Sequence, residues 1–127
     1  MILVDSSGWL HYFMNGPLIE RYEEMLGSPS GIYTPTIVLY EVYKKLKAEA
    51  GDEQIPLLCM EYMQKTNLVQ LTPEIALNAA DISLEYKMPM ADSIIYATSL
   101  FYQAKLVTSD SDFEKLPGVT FINPKEE

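Results

Sequence analysis

Leu106-Val107-Thr108-Ser109-Asp110 is a short apolar run that closes on an acid, and the beginning of the chain repeats the pattern, with Ile2-Leu3-Val4 running straight into Asp5. Brief, continuous aliphatic runs bounded by turn signals read as strands buried on both faces, the character of a parallel sheet. Parallel strands need crossover connections, and the intervening sequence supplies helices for them. Ser6 or Ser7 is expected to cap a helix carrying Trp9-Leu10-His11-Tyr12-Phe13, which Asn15-Gly16-Pro17 ends. A second helix is expected near 18–26, and Gly31-Ile32-Tyr33 reads as the next strand. Thr34-Pro35 has the form of an N-cap with proline in the first turn. The helix it opens carries Leu39, Val42, Tyr43 and Leu46 at i, i+3, i+4, i+7, the spacing of a core-facing stripe.

The alternation continues to the end of the chain. A helix over 53–65 leads to a strand at Leu68-Val69-Gln70-Leu71, and Thr72-Pro73-Glu74 starts a helix reaching Tyr86. Met88-Pro89-Met90 introduces another, with Ala91, Ile94, Ile95 and Thr98 on one face. Residues 105–108 and 119–122 complete the strands. The expected fold is α/β: a three-layer α/β/α sandwich with a mostly parallel central sheet, formed by a single domain over residues 1–127.

Composition narrows what such a chain can do. No apolar run approaches the roughly 18–20 residues of a membrane span, so no membrane partner is expected. The start has no basic region before its apolar run, unlike a signal peptide. The lone Cys59 cannot form an internal disulfide, in keeping with a cytoplasmic location. A formal net charge of −9 works against broad nucleic-acid affinity, which comes from Lys and Arg meeting phosphates. Any such contact has to be local, and the one basic cluster is Lys44, Lys45 and Lys47, candidates for phosphate contacts if they are not simply a solvated helix face.

The acids carry the chemistry. Asp5 and Asp110 follow strand ends, on the edge where open α/β sheets hold their ligands. Asp92 falls in a first helical turn, where the helix dipole favours an anion, and Glu41 sits near the front of its helix with a side chain long enough to lean to the same edge. Asp112 follows two residues after Asp110, while Ser6, Thr108 and Ser109 offer hydroxyls that can orient a carboxylate or a bound water. Taken singly, each acid has a plain reading as a cap, a turn residue or a surface charge. Together they repel one another, and a divalent cation with oxygen ligands, Mg²⁺ or Mn²⁺, relieves that repulsion. A metal held by acids alone points to phosphate chemistry.

Four blocks of sequence now stand in register: Asp5-Ser6-Ser7, Thr36-x4-Glu41, Ala91-Asp92-Ser93-Ile94-Ile95-Tyr96-Ala97-Thr98, and Leu106-Val107-Thr108-Ser109-Asp110-Ser111-Asp112-Phe113. They resemble the blocks of the PIN domain, most of all in VapC-type toxins of prokaryotic toxin–antitoxin pairs, and the likeness covers essentially the whole chain. The resemblance implies a Mg²⁺- or Mn²⁺-dependent endoribonuclease, homodimeric and held inactive by a cognate antitoxin. It places Asp5, Glu41, Asp92 and Asp110 as the metal-binding catalytic acids, Thr108 as the hydroxyl beside them, and Asp112 as an acid found in only some members.

The residues themselves agree with metal chemistry. Metal-free RNA cleavage commonly uses a histidine pair, and His11 has no partner histidine. A Ser or Cys nucleophile would lack an activating base. Hydrolysis leaving 5′-phosphate and 3′-hydroxyl ends is therefore expected, with Asp5, Asp92 and Asp110 as direct or water-bridged ligands and Glu41 as ligand or base. Three alternatives stand beside it. A haloacid-dehalogenase-like phosphatase needs a second aspartate where this chain has Ser7. A housekeeping RNA-processing nuclease would share every site residue, and a non-catalytic scaffold binding RNA or protein would share the fold. Nine tyrosines and seven methionines suit a protein interface, for a second copy or an antitoxin.

Overall fold

The computed structural model describes residues 1–124. Among them, five strands, β1 (Ile2–Val4), β2 (Ile32–Pro35), β3 (Asn67–Val69), β4 (Lys105–Thr108) and β5 (Val119–Phe121), form one sheet in the order β3-β2-β1-β4-β5. Every pairing is parallel. Six helices connect them: α1 (Ser6–Phe13), α2 (Ile19–Leu26), α3 (Thr36–Glu49), α4 (Gln54–Met63), α5 (Pro73–Tyr86) and α6 (Met90–Phe101). Short 3-10 turns at Pro29–Gly31 and Ser111–Phe113 complete the outline. This is the expected α/β architecture with a parallel central sheet.

The order of strands decides where a site can form. From β1 the chain steps outward to β2 and β3 through α1–α4, then crosses back past β1 to β4 and β5. Crossovers in such sheets are right-handed, so reversing direction moves the helices to the other face. The packing follows: α1 rests on α2 and α3, and α3 on α4, whereas α5 packs on α6. The reversal falls between β1 and β4, and it opens a crevice beyond their C-terminal ends. Register brings Val4 opposite Val107, so the residues that follow each strand emerge side by side.

Local chemistry departs from the sequence reading at several points. Helix α1 is capped by Asp5, not by Ser6 or Ser7: Asp5 is extended and its Oδ1 accepts from Gly8 N at 3.1 Å. Thr34-Pro35 ends a strand instead of capping α3. The Thr34 hydroxyl is buried and accepts from Thr66 Oγ1 at 2.6 Å, so it is unavailable to a helix end. The core stripe of α3 is Val38, Val42 and Leu46, with Leu39 and Tyr43 only half-buried on its flank. Strand β3 is set one residue earlier than expected and stops at Val69. Ile122 lies just past β5, although its N–H still donates to Thr108 O at 2.8 Å.

Helix α6 is buried nearly all round from Ser93 to Ser99, not on one face, because it lies between the sheet and α5. Its polar residues are satisfied within the helix. Ser93, Thr98 and Ser99 donate to the carbonyls of Pro89, Ile94 and Tyr96 at 2.8, 2.6 and 2.7 Å. On the two faces of the sheet the core is filled by Leu3, Val4, Trp9, Tyr22, Leu106, Val107 and Phe113, with Ile95 and Tyr96 of α6 in the same cluster. Gly8 is what lets α1 sit this close: a Cβ there would fall 2.5 Å from both Tyr22 Cε1 and Val4 Cγ1. The start of α1 is thereby pressed onto the end of β1, which fixes Asp5 in the crevice.

Candidate metal centre

Asp5 is the most tightly held of the acids. It is 2% exposed, at the junction of β1 and α1. Its Oδ1 accepts from Ser7 Oγ at 2.8 Å and from Gly8 N, and its Oδ2 accepts from Thr108 Oγ1 at 2.6 Å. The frame continues beyond Asp5: Ser109 N donates to Ser7 Oγ at 3.1 Å and Asp110 N to Thr108 Oγ1 at 2.9 Å. Two hydroxyls, Ser7 and Thr108, thus lock the end of β1 to the loop after β4. Burial pushes the Asp5 carboxyl up to about 6, against the pull of its three donors.

The loop after β4 delivers the next acids. Asp110 Oδ1 accepts from Asp112 N at 2.9 Å, capping the 3-10 turn that carries Asp112. Asp92, in the first turn of α6, closes the group: oxygens of Asp92, Asp110 and Asp112 lie within 4.8 Å of one another. Asp92 is pushed up to about 6, first by burial and then by the charges of Asp110, Asp112, Glu41 and Asp5. Glu41 reaches the same field from α3. Burial raises its pKa, the Ser6 hydroxyl opposes the rise, and Asp110 adds to it. Its Oε1 is buried with no hydrogen-bond partner among the described residues.

All five predicted acids therefore face one crevice, in two degrees of closeness. Asp92, Asp110 and Asp112 form the tight group, while Asp5 and Glu41 flank it and are felt electrostatically. Asp112, expected as an accessory, belongs to the tight group and is the exposed member. The donor set fits a hard divalent cation, because the available ligands are all carboxylate oxygens and the orphaned Glu41 Oε1 has no donor to satisfy it among the described residues.

Of the predicted hydroxyls, Thr108 touches Asp5 and Ser6 serves Glu41. Sequence reasoning treats Ser7 only as a possible cap and misses Tyr22, whose hydroxyl lies 2.7 Å from Ser109 Oγ. The Asp-x-Ser spacing of Asp5 and Ser7 is the available signal for the first; Tyr22 has none, since 87 residues separate it from its partner. His11 stays outside the acids. Its ring stacks on Tyr22 with centroids 6.0 Å apart, and burial lowers its pKa.

The lysines of α3 meet partners on their own helix. Lys45 pairs with Glu49 at 2.9 Å, whereas Lys44 and Lys47 rest over the rings of Tyr40 and Tyr43 at 5.7 and 5.5 Å from their centroids.

Comparison with known families gives a match to the PIN domain over residues 2–119. The chain belongs to the PIN domain family. PIN domains are nucleases, and the acids described above occupy the strand-end crevice of this one. Solved structures with the same PIN-like fold include the toxin-antitoxin complex from Klebsiella pneumoniae, 23% identical with a TM-score of 0.82 and all of both chains covered. VapC20 of Mycobacterium tuberculosis, described as a sarcin-ricin loop cleaving toxin, is 17% identical with a TM-score of 0.75 over 96% of this chain and 97% of its own. FitAcB from Neisseria gonorrhoeae is 19% identical with a TM-score of 0.74, both chains being covered in full. No curated protein matches the chain. Among the described residues, no helix of this PIN domain is long and apolar enough to cross a membrane.

Proposed function

We propose that this PIN domain is a divalent-metal-dependent endoribonuclease, the toxin of a toxin–antitoxin pair. The observation that carries the reading is the Asp92–Asp110–Asp112 group, its oxygens within 4.8 Å of one another. Asp92, Asp110 and Asp112 would hold the cation, with Asp5 flanking them and Glu41 beside it as the base, and Mg²⁺ or Mn²⁺ would supply Lewis-acid charge at the phosphate and activate water.

The protein's own part is positioning and proton transfer. Ser7 and Thr108 hold Asp5 so that its charge faces the crevice without swinging away. Glu41, with a raised pKa and a free oxygen, is suited to take the proton from the attacking water. The water oxygen then bonds to phosphorus and the bond to the 3′-oxygen breaks. That oxygen takes a proton from solvent water while Glu41 returns its own to solvent, and 5′-phosphate and 3′-hydroxyl ends result.

RNA as substrate is supported by the cleaving activity stated for VapC20. A phosphatase of the haloacid dehalogenase type is disfavoured, because the Ser7 hydroxyl is engaged in bracing Asp5 and supplies no second acid. The test is a labelled RNA panel incubated with Mg²⁺, Mn²⁺ or EDTA. Cleavage is expected with either metal and none with EDTA, giving 5′-phosphate ends; 2′,3′-cyclic phosphate products would exclude this route.

Partners belong to the same reading. Leu77, Leu84 and Met90 are 70, 81 and 75% exposed on α5 and α6, apolar side chains that a second copy of the chain would cover. Complexes of toxins with antitoxins among the similar structures support a cognate antitoxin. Sedimentation of the protein alone should give twice the 14.4 kDa chain mass, rising when the product of an adjacent antitoxin-like gene is added. A chain-mass species at micromolar concentration would count against the dimer.

A further inference from the structure

We infer that the outward face of α3, Tyr40 with Lys44 and Lys47, is a track for single-stranded RNA, with Tyr40 as a platform on which a base stacks. The ligand class rests on the nuclease reading, although binding can be measured without cleavage.

Charge makes this face unlike the rest of the molecule. Of nine Lys and Arg in a chain of net charge −9, three lie within residues 44–47. Lys45 is tied to Glu49, which leaves Lys44 and Lys47 as the cations on this face without an acidic partner within salt-bridge reach among the described residues. Each ammonium lies over a tyrosine ring, so the helix presents cations and aromatic rings interleaved at i, i+3, i+4 and i+7. Tyr40 is 61% exposed: Lys44 takes one side of the ring and the remainder is open to solvent. A cationic stripe that tracks a backbone, beside an open aromatic face that accepts any base, is how single strands are held without reading their sequence.

The track also points toward the crevice. Lys44 follows Glu41 by three residues, so it projects roughly 60° around the helix from it, on the side nearer Tyr40. Glu41 faces the acids while Tyr40 faces solvent, and Lys44 lies between. A strand lying on Tyr40 and Lys44 is thereby carried toward the carboxylates, which would otherwise repel it. A duplex cannot use the platform, because its bases are already stacked.

The experiment measures binding of a fluorescein-labelled 12-nucleotide single strand by anisotropy, in an Asp92→Asn background with Mg²⁺ present, beside a duplex of the same sequence. Tyr40→Ala should weaken single-strand binding about 5- to 100-fold, and Tyr40→Phe should leave it unchanged. The double variant Lys44→Ala/Lys47→Ala should lower the slope of log affinity against log salt by about 1.4, at about 0.7 for each phosphate left without its lysine. Circular dichroism melts confirm that each variant is folded. Equal affinity of Tyr40→Ala and the parent, a duplex effect as large as the single-strand effect, or no binding by the parent would each overturn the track. Cleavage by the unsubstituted protein is scored separately. Tyr40-dependent binding without cleavage sinks the nuclease reading alone, and cleavage with unchanged binding of the variants sinks the track alone.

Discussion

Asp92→Asn is expected to reduce metal-dependent RNA cleavage about a thousandfold, the equivalent of roughly 4 kcal/mol of transition-state stabilisation. The substitution keeps shape and removes one charge from the tight carboxylate group. Asp92 is also the acid most loaded by its neighbours, with Asp110, Asp112, Glu41 and Asp5 all raising its pKa. Removing its charge therefore relieves repulsion in the metal-free protein while weakening the hold on a cation. Single-turnover rates at saturating Mg²⁺, with the exposed Asp81→Asn on α5 as the control, check this. A loss below about tenfold, or an equal loss in the control, would remove Asp92 from the metal centre.

The second large effect concerns stability against pH. Asp5 is held at about 6 in the fold, against 3.8 for a free side chain. A carboxyl whose folded pKa is raised binds more protons in the native than in the unfolded state, so stability falls as pH rises through that window. For a single group moved to about 6, the loss between pH 5 and pH 7.5 comes to about 1.4 kcal/mol. Asp92, shifted the same way but half open to solvent, adds less. Metal-free protein should therefore melt about 4–7 °C lower at pH 7.5 than at pH 5. Mg²⁺ should restore the difference at pH 7.5, and Asp5→Asn should flatten the profile because the amide has nothing to titrate. A flat profile in the unsubstituted protein would show that Asp5 is not under this desolvation. Both effects arise from the same tension: acids gathered in one crevice cost stability while they are charged, and a bound cation would neutralise them.

Much of this arrangement is legible in the amino-acid sequence. Asp5 and Asp110 announce themselves because each ends an aliphatic run, and a parallel sheet brings such ends to one edge whatever the loops do. Glu41 and Asp92 are legible through position within their helices. What stays hidden depends on tertiary contact. Ser7 looks like a helix cap until β4 is laid beside β1 and the hydroxyl meets Ser109, 102 residues away. Thr34 has the residue type of a cap and the proline that goes with one, yet Thr66 claims its oxygen. The stripe on α3 runs through Val38 with Val42 and Leu46, because the way the helix packs turns Val38 fully inward and leaves Leu39 and Tyr43 on the flank. Propensity proposes such details, and packing decides them.

Asp5 has two employments, since the oxygen that receives the first turn of α1 belongs to an acid of the crevice. This constrains how the chain can change over generations. An alanine at position 5 would delete charge and cap in one step, leaving Gly8 N without its acceptor, a loss of about 1 kcal/mol beside the loss of activity expected from the proposed role. Asparagine or serine would delete the charge and keep the cap. A lineage released from selection for the chemistry can thus lose the reaction long before the architecture, and folded but inert descendants are the natural residue of its drift.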